Sequence, residues 1–239
     1  MPDIPLSPES SLPESSEPSS SSHQLTAEET EALLLRNLHK KEEEMHEALF
    51  ELACFYAYSG RQEVTKELFQ QLIDRSTTPE QKAQYLLSMG QLMEQRDDFP
   101  QAVEYYSQAY ILEPTDTNVW YLIHNNLAYS LNQLGRYPEA ETYCRLAFQI
   151  DSTRCNAFKN LGLSLEGQED YAEAAHFYMV AIRKNPDEPR SFQHLSNLLE
   201  KHPGLLKEHP DLVVELKICG GLFPFLAERI KKLLEKLNG

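Results

Sequence analysis

The sequence predicts an all-α fold, a solenoid of stacked helix pairs closed at its C-terminal end by capping helices. Three observations predict it. One unit recurs three times along the chain, no stretch alternates like a strand, and Gly and Pro fall at regular intervals.

Residues 1–25 come first and stand apart. They are almost wholly Ser, Pro and Glu and end in the run Ser19 to Ser22. Such a segment cannot bury enough apolar surface to offset the entropy of ordering it, and it reads as a disordered tail. Helical patterning begins at Thr26, which has capping-box spacing with Glu29. Residues 26–45 are read as a helical extension.

The repeat carries the prediction. Asp97-Asp98-Phe99-Pro100-Gln101-Ala102, Leu134-Gly135-Arg136-Tyr137-Pro138-Glu139-Ala140 and Glu169-Asp170-Tyr171-Ala172-Glu173-Ala174 align at once. Each is a polar turn, then an aromatic, then an alanine that opens a second helix. A small residue precedes each alanine at fixed distance (Gly90, Ala128, Gly162), and another alanine follows it (Ala109, Ala147, Ala181). Small residues at these points let two antiparallel helices approach closely. Leu86, Met89 and Met93, Leu127 and Leu131, and Phe158, Leu161 and Leu165 fill the space around them. Tyr106 and Tyr178 close the second helices, and Cys144 stands in the middle unit where they carry a ring. Pro114 and Pro186 stop the units, with Ser152 at the matching point.

These residues resemble the tetratricopeptide repeat (TPR), a unit of about 34 residues with a W-x2-L-G-x2-Y…A-x3-F…P pattern. Ala128 and Gly162 are 34 residues apart, and Gly90 and Ala128 are 38 apart. The four extra residues make about one helical turn, so the first helix of the middle unit lengthens without rotating its buried face. Trp120 is expected to do the packing of the family's tryptophan. The resemblance implies a right-handed α–α superhelix, with repeats at 83–116, 117–154 and 155–188. A degenerate repeat covers 46–79, with Leu49, Leu52, Ala53, Tyr56 and Phe69 in register and Thr65 in place of an alanine. Residues 189–239 are read as a helical cap. Phe192, Leu195, Ser196 and Leu199 give one more first helix, and His202-Pro203-Gly204 breaks it. Pro210 then opens a helix carrying Leu212, Val213, Leu216 and Ile218, which Gly220-Gly221 is expected to end. Leu226, Ile230, Leu233, Leu234 and Leu237 form the stripe of a last helix, with Arg229, Lys231, Lys232 and Lys236 along its other side.

Composition excludes several classes of function. The formal charge of −15 opposes nucleic-acid binding, which neutralises phosphates with Lys and Arg. No apolar run approaches the roughly 20 residues that span a bilayer, and no secretory leader is visible, so a cytoplasmic address is expected. The four cysteines form no CxxC pair and read as buried, reduced thiols. There is no phosphate loop, no GxSxG elbow and no HExxH helix, so no enzyme and no cofactor or metal is expected. His202 and His209, each before a proline, read as helix-start residues.

In the TPR family the first helix of each pair lines the concave face, where partners bind. The resemblance therefore points Gln84, Leu87, Gln91, Asn125, Asn126, Tyr129, Asn132, Asn156, Lys159, Asn160 and Leu163 inward, with Arg190, Gln193, His194 and Asn197 from the next helix. Gln91, Asn125, Asn126, Tyr129, Asn156, Lys159, Asn160, Arg190, Gln193 and His194 are the expected peptide-binding set. Amides offer donors and acceptors to an extended backbone, and Lys159 with Arg190 suits a carboxylate. Some TPR co-chaperones grip a chaperone's C-terminal tail through a two-carboxylate clamp. Asn160, Arg190 and His194 match its last three places, but Asn125 and Tyr129 stand where its first Lys and Asn belong, so chaperone-tail binding is not inferred. The expected function is an adaptor or scaffold, monomeric or weakly self-associating, that holds an extended segment of a protein partner. The alternatives are a chaperone-like holder of one client and a regulatory subunit whose C-terminal helix fills its own groove.

Overall fold

The computed structural model describes residues 27–238. The expectations of a disordered tail and of a cap at Thr26 lie outside those residues. The chain divides into two compact units, residues 1–45 and 46–239. In the first, the described residues belong to α1 (Ala27–Tyr58), whose Leu33 and Leu34 are exposed and whose Lys40 and Glu44 pair at 3.7 Å.

The second unit is helical from end to end: the remainder of α1, then α2 (Gln62–Arg75), α3 (Pro79–Glu94), α4 (Phe99–Ile111), α5 (Thr117–Gln133) and α6 (Tyr137–Ile150). After these come α7 (Cys155–Gly167), α8 (Tyr171–Lys184), α9 (Pro189–Lys201), the single turn α10 (Leu205–Glu208), α11 (Pro210–Leu222) and α12 (Pro224–Asn238). From α2 to α9 each helix packs on the next, as do α10 on α11 and α11 on α12, and α3, α5, α7 and α9 also pack side by side as an inner layer. This is an all-α solenoid of helix pairs.

One turn, used four times, joins the helices of each pair. Gly60, Asp97, Gly135 and Glu169 adopt left-handed backbone with φ of 77°, 58°, 72° and 67°. The amide after each donates at 2.9 Å to the carbonyl five residues back: Arg61 to Tyr56, Asp98 to Met93, Arg136 to Leu131 and Asp170 to Leu165. That bond satisfies a carbonyl the helix end leaves open. Asp98 and Asp170 then cap the next helix, each accepting at 3.3 Å from an amide three residues on.

Packing between the two helices of a pair is close. A Cβ at Gly90 would stand 2.3 Å from the Tyr106 ring, and one at Gly162 would stand 2.5 Å from the Tyr178 ring. Glycine is required at these points because the ring occupies the volume. In the middle pair Ala128 does carry a Cβ, and its counterpart Cys144 has no ring; both are fully buried. The repeats thus pair glycine with a ring, or a methyl with a thiol, at one contact. The tyrosine hydroxyls are also tied down, Tyr106 donating to Glu94 and Tyr178 to Glu166 at 2.8 Å each. Trp120 is half-buried and stacks on Tyr110 at 5.2 Å between centroids, with the His124 ring edge-on at 4.2 Å.

Several expectations need correction. α11 does not end at Gly220-Gly221 but continues to Leu222 and stops at Phe223. Pro224 is the terminator, since a residue before proline is pushed out of the helical region, and Phe223 sits at φ −127°, ψ 86°. Gly220 packs against α12, where an added Cβ would stand 3.6 Å from the Ala227 Cα, an ordinary contact. Leu212 and Leu216 are buried, but Ile218 faces out, 51% exposed. His202 ends α9, stacked on Tyr171 at 3.7 Å, rather than opening a helix. Cys144, Cys155 and Cys219 are buried, and burial pushes the Cys144 thiol up to about 12. Cys54 is exposed, because Ala53 takes the inward position one residue earlier.

The last helix packs against α9 and α11. Leu226, Ile230 and Leu233 are buried there, the Arg229 guanidinium lies 4.2 Å from the Phe192 ring centroid, and Lys236 pairs with Glu200 at 2.8 Å. Among the described residues no helix is long and apolar enough to cross a membrane.

Candidate functional site

The inner layer places polar side chains from four helices around one cavity of about 210 Å³. Glu94 of α3, Asn125, Asn126 and Tyr129 of α5, Asn156, Lys159 and Asn160 of α7, and Arg190 of α9 line it. The helical period explains the set. Residues three and four apart share a face, so Asn125, Asn126 and Tyr129 come together, as do Asn156, Lys159 and Asn160.

Two kinds of asparagine are present. Asn125 and Asn160 are buried and face each other, with Asn160 Nδ2 donating to the Asn125 carbonyl at 3.3 Å and to Asn125 Oδ1 at 3.1 Å. Deeper in the same seam Asn132 Nδ2 donates to the Asn160 carbonyl at 2.8 Å, and Ser164 donates to Asn132 Oδ1 at 2.9 Å. These bonds tie α7 to α5. The carbonyl partner fixes the orientation of the Asn160 amide, which leaves Asn160 Oδ1 without a donor among the described residues. Leaving a buried acceptor unpaired costs roughly 1–3 kcal/mol. Asn126 is half-buried and Asn156 exposed, and both present amide atoms to the cavity.

The cations already hold a carboxylate. Glu188, the N-cap of α9, accepts from the Ser191 amide and hydroxyl at 2.9 Å each and from Arg190 Nε at 2.7 Å. Lys159, 7% exposed, stands 4.0 Å away and donates to Asn156 Oδ1 at 3.2 Å. Burial disfavours the charged form of both residues. For Lys159 it wins over the Glu188 charge, and the ammonium pKa is lowered. For Glu188 it loses to the Arg190 and Ser191 bonds and the Lys159 charge, and the carboxyl is held at about 2. Lys159 and Arg190 are therefore not a bare receptor for an incoming carboxylate.

Glu94 supplies a second acid on the far side. Burial raises its pKa against the opposing Tyr106 bond. Tyr129 lies between the poles: burial raises its pKa, Glu94 and Asp97 raise it further, and Arg190 opposes them.

Comparison with known proteins agrees with this architecture. The tetratricopeptide-repeat family model matches residues 125–150, across α5 and α6. These residues carry a tetratricopeptide repeat. The chain is similar to human tetratricopeptide repeat protein 7B, 32% identical over 104 residues, covering 44% of this chain and 12% of the relative. The BBSome complex member BBS4 homolog of Drosophila melanogaster is 25% identical over 160 residues, covering 66% and 31%. The chain thus spans less than a third of either relative's length. Among solved structures, that of MamA matches with a TM-score of 0.60 at 17% identity, over 78% of this chain and 96% of MamA. MamA from Desulfovibrio magneticus RS-1, residue 41 to its end, gives 0.58 at 16% identity, over 74% and 94%. These two likenesses speak to the fold.

Of the ten expected contact residues, the TPR fold brings seven to the cavity: Asn125, Asn126, Tyr129, Asn156, Lys159, Asn160 and Arg190. Gln91 is half-buried on α3 and Gln193 is exposed on α9, where it donates to Asn197 at 2.7 Å; neither lines it. His194 stacks on Tyr178 at 5.5 Å, and burial lowers its pKa. Leu87, expected in the groove, is 2% exposed and belongs to the core. Sequence reasoning missed Glu94 and Glu188. Both left a signal, Glu94 in the register that Glu166 repeats with its tyrosine, and Glu188 as the acid just before Pro189 at a helix start.

Proposed function

We propose that the chain is a non-catalytic cytoplasmic adaptor, monomeric or weakly self-associating, that holds an extended segment of a protein partner along α3, α5, α7 and α9. One observation carries the reading: amides from two neighbouring repeats, Asn125, Asn126, Asn156 and Asn160, line a single cavity together with Tyr129. Asn126 and Asn156 offer donors and acceptors there, and the Tyr129 ring gives a flat face for a side chain. Glu188 neutralises the cations, so backbone recognition is favoured over capture of a terminal carboxylate. The name of the Drosophila relative, a complex member, is in keeping with a scaffold role. The position of α12 against α9 and α11 supports capping over self-occupation of the groove, because none of its described residues lines the cavity.

A quantitative pull-down from native lysate tests this. Asn160 is unsuitable as a probe, since removing it breaks the seam between α5 and α7. The variant of choice is Asn126→Ala/Tyr129→Ala/Arg190→Ala, at half-buried and exposed positions, with helicity checked to equal the wild type. Partners retained by the wild type are expected to fall by about tenfold or more with the variant. Equal recovery of the same partners by both proteins sinks the groove reading.

A further inference from the structure

The C-terminal end carries a second surface, independent of the groove. α11 carries apolar residues on both its buried and its exposed sides, with Asp211, Glu215 and Lys217 between them. Leu212, Leu216 and Cys219 are buried, whereas Val214, Ile218 and Leu222, four residues apart, are 57%, 51% and 58% exposed. An exposed apolar stripe of this kind marks a surface that a partner covers. Next to the exposed stripe, a cleft of about 830 Å³ opens between α11 and α12. Ala227, Ile230 and Leu234 line it, and the bare backbone of Gly220 and Gly221 deepens it. A hollow of about 150 Å³, lined in part by Leu206, Val213 and Leu237, shares Lys217 and Leu234 with the cleft, so the two form one trough. From Ala227 to Leu237 it follows α12 for about 15 Å at roughly 1.5 Å per residue, close to three turns of a helix laid alongside.

The charges at the trough select the occupant. Among the described residues, Lys207, Lys217 and Lys231 border it with a single acid, Glu235, which pairs with Lys231 at 3.9 Å. This is a basic border on a chain of net charge −15. A second copy of the same face would set these lysines against one another, and a flat lipid surface does not fill a concave trough. We propose that the trough docks an amphipathic helix of a partner protein, about three turns long, whose apolar stripe at i, i+3/i+4 and i+7 is flanked by Asp and Glu. The apolar stripe buries Val214, Ile218 and the cleft walls, and the acids meet the lysines.

The test uses the full chain and two fluorescein-labelled designed helical peptides that share one leucine stripe, flanked by Glu in one and by Lys in the other. Binding is read by anisotropy. General attraction to an acidic chain would favour the Lys peptide, so the expected order is a stringent one: the Glu peptide binds about tenfold more tightly. Added salt is expected to weaken it. Ile218→Asp is expected to reduce its binding about tenfold, and Lys217→Glu/Lys231→Glu to reverse the order of the two peptides. Arg190→Glu, in the groove, should leave both unchanged. All four substitutions fall at exposed positions, and helicity confirms that each variant folds. Equal binding of the two peptides, or binding of neither, overturns the proposal. So does an Ile218-dependent dimer in sedimentation (a second copy as occupant), or Ile218-dependent binding confined to vesicles of phosphatidylserine and phosphatidylcholine.

Discussion

Replacing Glu188 with alanine is expected to lower the unfolding free energy by about 3 kcal/mol, read from urea denaturation. One side chain performs three tasks, capping α9 through Ser191, holding Arg190 and facing the buried Lys159 ammonium. Alanine removes the cap, worth about 1 kcal/mol, and leaves Lys159 in the inner layer without its counter-charge. Burial already lowers the Lys159 pKa, and losing the Glu188 charge that opposes this would lower it further. The pH dependence separates charge from capping. The folded-state pKa of Glu188 is depressed from an ordinary 4.5 to about 2. Its contribution is therefore complete above the ordinary carboxyl range and is lost as pH falls toward 2. Glu188→Gln, which keeps an acceptor for the Ser191 amide, should lack that component of acid destabilisation while costing less than alanine at pH 7. If the wild type and the Glu188→Gln variant give parallel profiles from about pH 5 to pH 2.5, the charge does not matter.

The paired exchange of ring and small residue gives the second large effect. Gly162→Ala is expected to cost about 2 kcal/mol, because the new methyl meets the buried Tyr178 ring, which the Glu166 bond holds in place. This outweighs the roughly 1 kcal/mol that alanine gains over glycine in helix propensity. Tyr178→Cys alone is expected to cost about 3 kcal/mol through the cavity it leaves. Made together, the two copy the Ala128 and Cys144 arrangement of the middle pair. Their joint cost should fall short of the sum by about 1 kcal/mol or more. Strict additivity in denaturation experiments would mean that the two positions do not share one volume.

Much of this architecture was legible in the sequence because steric rules leave marks in residue type. The small residues and the aromatics after the turns of the three units recur at fixed distances, and the same turn at Gly60 carries the pattern into the stretch read as degenerate. Within the candidate site, helical period alone grouped the α5 and α7 side chains. It does not tell which amide atoms face solvent and which face the neighbouring helix. Asn125 and Asn160 sit on the groove side of their helices, yet they bond to each other, which depends on the distance between α5 and α7 rather than on spacing in one helix. Leu87 failed for the same reason, since the inward face of α3 merges with the core there. Lys159 and Arg190 read as an open cationic pair because Glu188 lies in a loop, outside any helical register, and closes on them only through the cap. The glycine pair in α11 looked like a stop signal, but Pro224, just beyond it, was the stronger one. The apolar residues of α11 were all visible in sequence, and only the packed position of α12 showed which of them remain uncovered.

Site-specific photo-crosslinking most directly tests whether the inner layer is the binding face. A benzophenone amino acid placed at Tyr129 lines the groove cavity, and one placed at the exposed Thr142 of α6 does not. In native lysate, the Tyr129 probe is expected to capture a partner whose crosslinked residues map to one extended segment, with the Thr142 probe giving no such adduct. Adducts to the same partner from Thr142 alone would place binding on the outer helices and contradict the groove.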